Sequence, residues 1–375
     1  MKTVLQIISD TNIGGGGRSL INYLRYQNRE EYRSEVVLPR GSALKERIEA
    51  LGVTVHEIDA MADRSMDKAA IAPLRAIIRQ VRPDLIHTHG SMSGRIAAKL
   101  CGKKVVYTRH CAFPPSPRAT SLPGRAAGRL ADALLSDGTL AISHVVREQL
   151  IATGVPEKKI AVLYNGVEPL APPTGEERQA LRRSYGFGEE DFVLGMLARV
   201  EPYKGQGVLL EAAGLLLERG RRVKVLIAGD GTDLPAMREK AKTLPEGTVV
   251  FTGFLDQVEK ALWAMDLQVN ASTESETSCL SLLEGMSMGL PAVVSDVGGN
   301  PMLIPHGENG LVVKRSDPAA LAAAMEELMD APQRLEAMSR RAVEVFRERF
   351  TGEIYAKNVE QVYTHILKGA SHGTK

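Results

Sequence analysis

Residues 268–304 set the expected architecture of this chain, and they read QVNASTESETSCLSLLEGMSMGLPAVVSDVGGNPMLI. The pattern predicts a strand, a polar turn that holds Glu276, a short helix from about Leu280, a second strand and a glycine turn. The turn before the helix leaves backbone N–H groups free, which makes it a natural place for a phosphate. A carboxylate there does not bind phosphate, so we expect Glu276 to accept hydrogen bonds from hydroxyl groups of a sugar or ribose.

A second glutamate, Glu284, lies eight residues after Glu276, within the predicted helix. The two carboxylates are either a general acid and base pair or two groups that face solvent. The apolar neighbours Leu282 and Leu283 favour a buried Glu284, and a buried glutamate usually needs a partner.

Length and composition indicate a globular protein with two domains. The chain has 375 residues, of which 44% are hydrophobic and 25% are charged. Its three cysteines lack metal-ligand spacing, which favours a reducing compartment and predicts a cytoplasmic protein. The first residues do not resemble a signal peptide, and no apolar run approaches the roughly 20 residues that span a bilayer.

Charge is distributed unevenly along the chain. Residues 1–168 hold 24 Lys+Arg against 16 Asp+Glu, and residues 169–375 hold 23 against 29. The basic first half has either an anionic partner, such as a membrane surface, or only a solvated basic face. The stretch Ala72–Arg82 is a candidate for membrane contact, and its alternative is an ordinary helix that covers a sheet. Aromatic residues, at 5%, do not interleave with basic ones, so we expect no nucleic-acid partner.

Strand and helix patterns alternate in both halves, which predicts α/β domains with parallel sheets covered on both faces. We assign residues 1–168 to an N-terminal domain, 169–186 to a Pro- and Gly-rich linker, and 187–350 to a second domain. Residues 351–375 form a last helix and a tail. Ligands bind at the carboxyl ends of such strands, and His89 and His110 fall at two of these ends.

Two further segments suit phosphate. Arg199 and Lys204 follow a predicted strand at a helix start, where cations are disfavoured unless an anion is present. They fit a diphosphate, or they are surface cations without a ligand. Glycines 14–17 let backbone amides approach a phosphate, or they form a tight structural turn. The chain has no Asp-x-Asp pair and no zinc-spaced cluster, so we expect no metal site.

Taken together, these segments resemble glycosyltransferase family 4, whose members have the GT-B fold and retain anomeric configuration. The resemblance covers nearly the whole chain. It implies two Rossmann-like α/β domains that face each other across a cleft, with the C-terminal helix crossing back to the first domain. The segments that resemble family motifs are Glu276 to Glu284, Arg199 to Gly205, Asn165-Gly166-Val167, the glycine run 14–17 and Thr108-Arg109-His110.

The resemblance implies a role for each site residue. Arg199 and Lys204 neutralise the leaving diphosphate. Glu276 holds hydroxyls of the donor sugar, Glu284 holds the nucleotide ribose, and His110 contacts the transferred sugar. Further donor contacts are implied for Leu255, Cys279, Leu280 and Ser281 and, in the first domain, for Gly15 and Gly16.

The implied activity is that of a retaining, metal-independent hexosyl- or related glycosyltransferase. Its co-substrate is a nucleotide-diphosphate sugar, it needs no cofactor, and its acceptor is a glycan or a lipid-linked molecule. The expected setting is polysaccharide or lipopolysaccharide synthesis in the cytoplasm, at the inner face of the membrane. The alternatives are a sugar-nucleotide epimerase of the same fold and a non-catalytic nucleotide-sugar-binding subunit. Thr277-Ser278-Cys279 replaces the Gly-Phe-Gly of many relatives, which puts side chains beside the donor sugar.

Overall fold

The computed structural model describes residues 1–369 and divides into two units. The first unit contains Met1–Val167 and the chain from Thr351 onward, and the second contains Glu168–Phe350. Each unit has one parallel β-sheet with helices on its connections, which confirms the prediction of two Rossmann-like α/β domains. Within these residues, no helix is both long enough and apolar enough to cross a membrane.

The sheet of the first unit has seven parallel strands, and its winding direction reverses once. The strands are β1 (Lys2–Ile8), β2 (Tyr32–Pro39), β3 (Thr54–Ile58), β4 (Leu85–His89), β5 (Lys104–Arg109), β6 (Gly138–Ala141) and β7 (Ile160–Val162). Their order is β3-β2-β1-β4-β5-β6-β7, so the reversal lies between β1 and β4. Ligands of such sheets bind beside this reversal, at the carboxyl ends of the strands.

Seven helices connect these strands. They are α1 (Gly15–Tyr26), α2 (Lys45–Glu49), α3 (Ile71–Val81), α4 (Met92–Leu100), α5 (Pro117–Thr120), α6 (Leu122–Leu135) and α7 (His144–Ala152). Helix α3 covers the stretch predicted as a candidate membrane contact. Its Leu74 and Ile78 are fully buried in a core cluster, and Ile77 packs against the same cluster. The apolar side chains of α3 therefore pack in the core, as expected of an ordinary helix that covers a sheet.

The second unit repeats this design with six parallel strands. They are β8 (Phe192–Leu197), β9 (Val223–Ala228), β10 (Val249–Gly253), β11 (Leu267–Asn270), β12 (Ala292–Ser295) and β13 (Gly310–Val313). The order β10-β9-β8-β11-β12-β13 places the reversal between β8 and β11. The loops after these two strands carry Arg199, Lys204 and Glu276. The residues predicted to bind phosphate and hydroxyl groups therefore lie where a doubly wound sheet binds its ligand.

The helices of the second unit include one in the predicted linker. They are α8 (Gly175–Ser184), α9 (Gln206–Glu218), α10 (Leu234–Ala241), α11 (Val258–Ala264), α12 (Leu280–Ser287), α13 (Asn300–Leu303), α14 (Pro318–Met329) and α15 (Pro332–Arg349). In α8, Arg178 and Arg182 both form ion pairs with Asp266, and Trp263 donates a hydrogen bond to the carbonyl of Ala171. Residues 171–184 thus pack against the second unit, because α8 and the segment before it are bonded to Asp266 and Trp263 of that unit.

The last helix, α16 (Gly352–Lys368), belongs to the first unit, as predicted. It packs against α1 and contributes Tyr355, Val359 and Tyr363 to the core of that unit. Lys104 of β5 donates hydrogen bonds to the carbonyls of Ile366 and Leu367, which stabilises the negative end of the helix. The predicted tail lies outside the described residues from position 370.

Candidate functional site

The centre of the site in the second unit is an ion pair between Lys204 and Glu276. Lys204 Nζ lies 2.8 Å from Glu276 Oε2, and the two side chains are 15% and 7% exposed. Ser272 Oγ and Asn270 Nδ2 donate to the same oxygen at 2.8 and 3.2 Å. Oε2 therefore receives three donors, while Oε1 accepts only a 3.4 Å bond from the N–H of Thr277 among the hydrogen bonds found for it.

The pair stays ionised despite its burial. Burial raises the pKa of Glu276, but the positive charge of Lys204 and the three hydrogen bonds outweigh it and hold the pKa below its usual value. Burial lowers the pKa of Lys204, but the Glu276 carboxylate outweighs it, so this pKa is raised. At neutral pH the pair thus holds one fixed positive and one fixed negative charge.

Local backbone geometry places the two charges. Lys204 ends a single 3₁₀ turn, Pro202–Lys204, that follows β8. Gly205 then takes a φ of +81°, and a Cβ there would lie 1.9 Å from the carbonyl oxygen of Ala271. Only glycine fits this close approach of the loops after β8 and β11, which brings Lys204 to Glu276. On the other side, helix α12 begins at Leu280, as predicted, so Glu276 lies in the turn before it.

A third loop supports the Glu276 turn, and our sequence reasoning assigned it no role in the site. A Cβ on Gly298 would lie 2.0 Å from the carbonyl oxygen of Glu276, and one on Gly299 would lie 1.7 Å from that of Thr277. Asn300, which is fully buried, donates to Asn270 Oδ1 and to the carbonyl of Ser295. The adjacent glycines were the available signal, because two glycines in a row after a buried strand indicate close backbone contact.

The other predicted residues of this unit lie around the pair or beside it. Arg199 is exposed and donates to the hydroxyl of Tyr203, whose ring centroid is 5.5 Å from Lys204 Nζ. Cys279 Sγ contacts Ser281 Oγ at 3.2 Å and accepts from Asn270 Nδ2 at 3.4 Å. Burial, followed by the Glu276 charge, raises the pKa of the Cys279 thiol.

Three further residues that were predicted to bind the donor, Leu255, Leu280 and Glu284, are buried or half-buried. Leu280 and Glu284 lie on the buried side of α12, at 8% and 4% exposure. Leu255 is half-buried after β10 and packs against the cluster that contains Leu262 and Met265. The structure therefore places Leu280 and Glu284 on the helix that follows Glu276, and it packs Leu255 against an apolar core.

In the first unit, a chain of buried hydrogen bonds runs from His110 to the C-terminal helix. His110 Nε2 lies 2.9 Å from His89 Nδ1, and His89 Nε2 lies 3.0 Å from Gln6 Oε1. Gln6 Nε2 donates to the hydroxyl of Tyr363 at 3.2 Å, and that hydroxyl lies 2.6 Å from His87 Nδ1. His110 itself was predicted, but its link to Tyr363 spans more than 250 residues and left no local pattern in the sequence.

The network fixes which nitrogen atoms carry hydrogen. Burial lowers the pKa of His110 to about 4 and takes that of His89 well below its usual value, so both rings are neutral at physiological pH. Because Gln6 Oε1 only accepts, His89 Nε2 is the donor and His89 Nδ1 is the acceptor. His110 Nε2 must then donate, which leaves His110 Nδ1 as an acceptor. This atom is buried and has no hydrogen-bond partner among the described residues.

The glycine run lies beside His110. Helix α1 begins at Gly15, and a Cβ on Gly16 would lie 3.5 Å from the His110 ring and 3.3 Å from a carboxylate oxygen of Asp10. A Cβ on Gly15 would meet nothing within 4 Å, so the backbone there is open to a ligand. Burial, and then the nearby Asp63 charge, raises the pKa of Asp10 to about 6, although the N–H of Gly17 opposes the shift. Our sequence reasoning gave Asp10 no role.

The described residues hold no group of three or more His, Cys, Asp or Glu side chains that is arranged to bind a metal ion. The groups that could donate to a phosphate are, in the second unit, Lys204, Arg199 and N–H groups at the start of α12. In the first unit they are N–H groups at the start of α1.

Two family models match the chain. The model described as Glycosyltransferase Family 4 matches residues 13–169, and the model described as Glycosyl transferases group 1 matches residues 191–331. Among curated proteins, the putative glycosyltransferase EpsD of Bacillus subtilis is 30% identical over 71% of this chain and 72% of its own length. The N-acetyl-alpha-D-glucosaminyl L-malate synthase of Bacillus anthracis is 26% identical over 86% of this chain and 85% of its own.

Solved structures agree on the fold. HepE of Anabaena (Alr3699), crystallised with UDP and glucose, aligns with a TM-score of 0.83 at 22% identity, over 97% of this chain and 100% of its own. A glycosyltransferase from Rickettsia africae aligns with a TM-score of 0.85 at 19% identity, over 98% of this chain and 100% of its own. These neighbours confirm the GT-B fold.

Proposed function

The chain belongs to glycosyltransferase family 4, and from that premise we propose that it is a retaining hexosyl- or related glycosyltransferase. It moves a sugar from a nucleotide-diphosphate sugar to a glycan or lipid-linked acceptor. The observation that carries the proposal is the buried Lys204–Glu276 pair, which lies where the winding of the second sheet reverses. A cation and an ionised carboxylate fixed beside a helix N-terminus offer, in one place, a partner for phosphate and an acceptor for hydroxyls.

The state of Glu276 supports a binding role over an acid or base role. Its pKa is lowered, so it does not hold a proton to donate at neutral pH. Its Oε2 already accepts three hydrogen bonds, and Oε1 is the atom with capacity left for a sugar hydroxyl. We therefore propose that the acceptor hydroxyl attacks the anomeric carbon on the leaving-group face. The bond from that carbon to the diphosphate breaks, and the departing phosphate oxygen takes the hydroxyl proton.

His110 would contact the transferred sugar. Its Nδ1 is a buried acceptor without a partner among the described residues, and such an atom costs stability until a ligand satisfies it. A sugar hydroxyl supplies the missing donor. Since the pKa of His110 lies near 4, the ring stays neutral and Nδ1 keeps its lone pair at physiological pH.

The remaining residues complete the proposed donor site. Arg199 and Lys204 would neutralise the diphosphate, and Glu284 would hold the ribose. The amides of Gly15 and Gly16 would approach the diphosphate, since nothing in the structure covers a Cβ position at Gly15. Contacts from Cys279, Leu280, Ser281 and Leu255 would line the donor. With these cations and amides, transfer would need neither a metal nor a cofactor.

We propose UDP-sugars as the first donors to test, because HepE was crystallised with UDP and with UDP-glucose. The acceptor would belong to polysaccharide or lipopolysaccharide synthesis. The enzyme would act in the cytoplasm, at the inner face of the membrane, where its basic first unit would meet anionic lipid.

A thermal-shift screen over nucleotide sugars identifies the donor, because a ligand raises the melting temperature according to its occupancy. Transfer is then measured with that donor and a mixed panel of glycan and lipid-linked acceptors, with and without EDTA. NMR of the product gives its anomeric configuration. Inverted products would contradict the mechanism, and epimerisation of the donor without an acceptor would contradict the assigned activity.

His110→Phe keeps a ring but removes Nδ1. We expect turnover to fall by about 10- to 100-fold, the value of one hydrogen bond to a reacting substrate. The matched control is His144→Phe, because His144 is an exposed histidine of the same unit. Equal turnover in the His110→Phe and His144→Phe variants would show that His110 does not contact the transferred sugar.

A further inference from the structure

Helix α6 carries three of its four leucines toward solvent. Leu122, Leu130 and Leu134 are 83%, 61% and 62% exposed, and Asp132 is the only residue of this helix that is fully buried. A surface helix normally turns such a stripe toward the core. Leucines this exposed, grouped on one helix, therefore indicate a surface that binds something.

The inward face of α6 is made of small residues, and they fix the orientation of the helix. A Cβ on Gly128 would lie 1.9 Å from the carbonyl oxygen of Thr153, and one on Gly124 would lie 2.1 Å from that of Arg118. Turning the helix to bury its leucines would push larger side chains into these carbonyls. The exposed leucines are thus a consequence of close backbone packing on the other side.

The apolar positions form one continuous stripe. Leu122, Ala126, Leu130 and Leu134 recur every four residues, so successive positions are offset by roughly 40° around the helix. All four are exposed. Phe113, in the loop that precedes α5 and α6, is also half-exposed at 50%.

Basic side chains border the stripe, and acidic residues are scarce in the same segment of sequence. Arg118, Arg125 and Arg129 are exposed. Asp132 is the single acidic residue between positions 110 and 136, and it is buried in an ion pair with Lys159 at 3.1 Å. Exposed leucines beside unopposed arginines are the pattern of a surface that binds anionic lipid.

We propose that this α6 face, formed by Leu122, Ala126, Leu130, Leu134, Arg125 and Arg129, docks on an anionic lipid bilayer. The leucines enter the boundary between headgroups and acyl chains, and the arginines reach the lipid phosphates. A symmetric dimer through the same face would instead bring arginines of both copies together, which charge repulsion opposes. The proposal deepens the membrane contact of the proposed function, but lipid binding is tested without any transfer reaction.

Flotation with vesicles tests this directly. The purified chain is mixed with vesicles of phosphatidylcholine alone or of phosphatidylcholine with phosphatidylglycerol, at low and at high salt. We expect binding to the anionic vesicles only, and weaker binding at high salt. Arg125→Gln/Arg129→Gln should bind about 25-fold more weakly, from about five-fold for each cation near an anionic surface.

The matched control is Arg79→Gln/Arg82→Gln, which removes the same charge from exposed positions at the end of α3. We expect this control to bind like the unmodified chain. Leu130→Ser/Leu134→Ser should abolish binding, and its melting temperature should stay unchanged because both leucines are exposed. Equal binding by the leucine variant and the unmodified chain, or an equal loss in both arginine variants, would overturn the proposal.

A fluorescent reporter locates the contact. The chain has one tryptophan, Trp263, in the second unit, so Trp263→Phe/Leu130→Trp places a single probe in the α6 face. A blue shift of its emission with anionic vesicles supports docking, and an unshifted spectrum under conditions of flotation contradicts it. Light scattering tests the alternative that the α6 face binds a second copy of the chain. If the chain is a dimer and Leu130→Ser/Leu134→Ser dissociates it, the face belongs to the dimer interface and the lipid proposal is overturned.

Discussion

The two units place buried polar groups at the same point of the same fold, yet one site is built from neutral rings and the other from an ion pair. In the first unit, burial lowers the pKa of His110 to about 4 and that of His87 to about 3. In the second, Lys204 and Glu276 remain charged although they are 15% and 7% exposed. Burial favours the neutral form of every group, so a buried group keeps its charge without a loss of stability only where an opposite charge or hydrogen-bond donors are buried with it.

Two carboxylates, Glu276 and Asp10, show the same contrast, because their pKa values shift in opposite directions. Glu276 has a lowered pKa because Lys204 and two other donors face it. Asp10 has its pKa raised to about 6 by burial and by Asp63, with a backbone N–H as the opposing influence. In the proposed function, the second unit therefore uses charged groups, with Lys204 for phosphate and Glu276 for a hydroxyl, whereas His110 of the first unit accepts from a hydroxyl as a neutral ring.

Breaking the ion pair should give the largest effect. Lys204→Met leaves a buried carboxylate without its counter-charge, so we expect a loss of about 3–5 kcal/mol in the free energy of unfolding. Transfer should fall by about 10²–10³-fold or more, as when one preorganised electrostatic group is removed. Urea unfolding and initial rates measure the two effects.

The double variant Lys204→Met/Glu276→Gln separates structure from function. Removing both charges should restore most of the stability, because no unpaired charge is left buried, while transfer stays lost. Recovery of transfer together with stability would show that the pair serves only the fold, and the contrast between the two sites would lose its functional meaning.

Acid should destabilise the first unit through its histidines. The unfolded chain binds protons at His with a pKa near 6.5, whereas folded His110 and His87 do so only near 4 and near 3. The unfolded state thus binds more protons between these values, and stability is lost as pH falls from about 6.5 to 4. The slope of unfolding free energy against pH measures this, and His110→Phe should flatten it. An unchanged slope would mean that His110 is not neutral in the folded state.

Tyr363→Phe tests the connection between the histidines and α16. The change removes a hydroxyl that accepts from Gln6 and lies 2.6 Å from His87 Nδ1, so we expect a loss of about 1–3 kcal/mol. Tyr26→Phe is the control, because Tyr26 is less buried. In two-dimensional NMR, the ring signals of His87 and His89 should shift in Tyr363→Phe alone. Unshifted signals would show that the network does not extend to Tyr363.

Asp10→Asn should give the smallest effect, and with the opposite sign. A raised pKa means that the folded state disfavours the carboxylate, so the native protein gains stability as pH falls through about 6. The asparagine variant should therefore be more stable than the native protein by about 1–3 kcal/mol at pH 7, since about two pKa units correspond to about 3 kcal/mol before solvent screening, and the gain should vanish near pH 4. A destabilised variant at pH 7 would show that the carboxylate has a favourable partner.

The sequence predicted the elements that carry local patterns. Helix α12 starts at Leu280 as the apolar spacing predicted, and Glu276 lies in the turn before it. The pairing of Glu276 with Lys204 was out of reach, because the two residues are 72 apart in sequence and meet only where the loops after β8 and β11 come together. The packing of residues 171–184 into the second unit was missed for the same reason: Asp266, which pairs with Arg178, is 88 residues away.

The position of α16 at the end of the chain also affects when the first unit can finish folding during synthesis. All seven strands of the first sheet have been made by Val162, but the hydroxyl that joins Gln6 to His87 arrives with Tyr363, about 200 residues later. At the usual pace of a ribosome, that interval lasts on the order of 10–40 s. During this interval the core of the first unit lacks the side chains of α16, and the histidine network lacks the Tyr363 hydroxyl. The second unit is continuous in sequence and has no such wait, so it is expected to be complete before the first unit although its synthesis begins later.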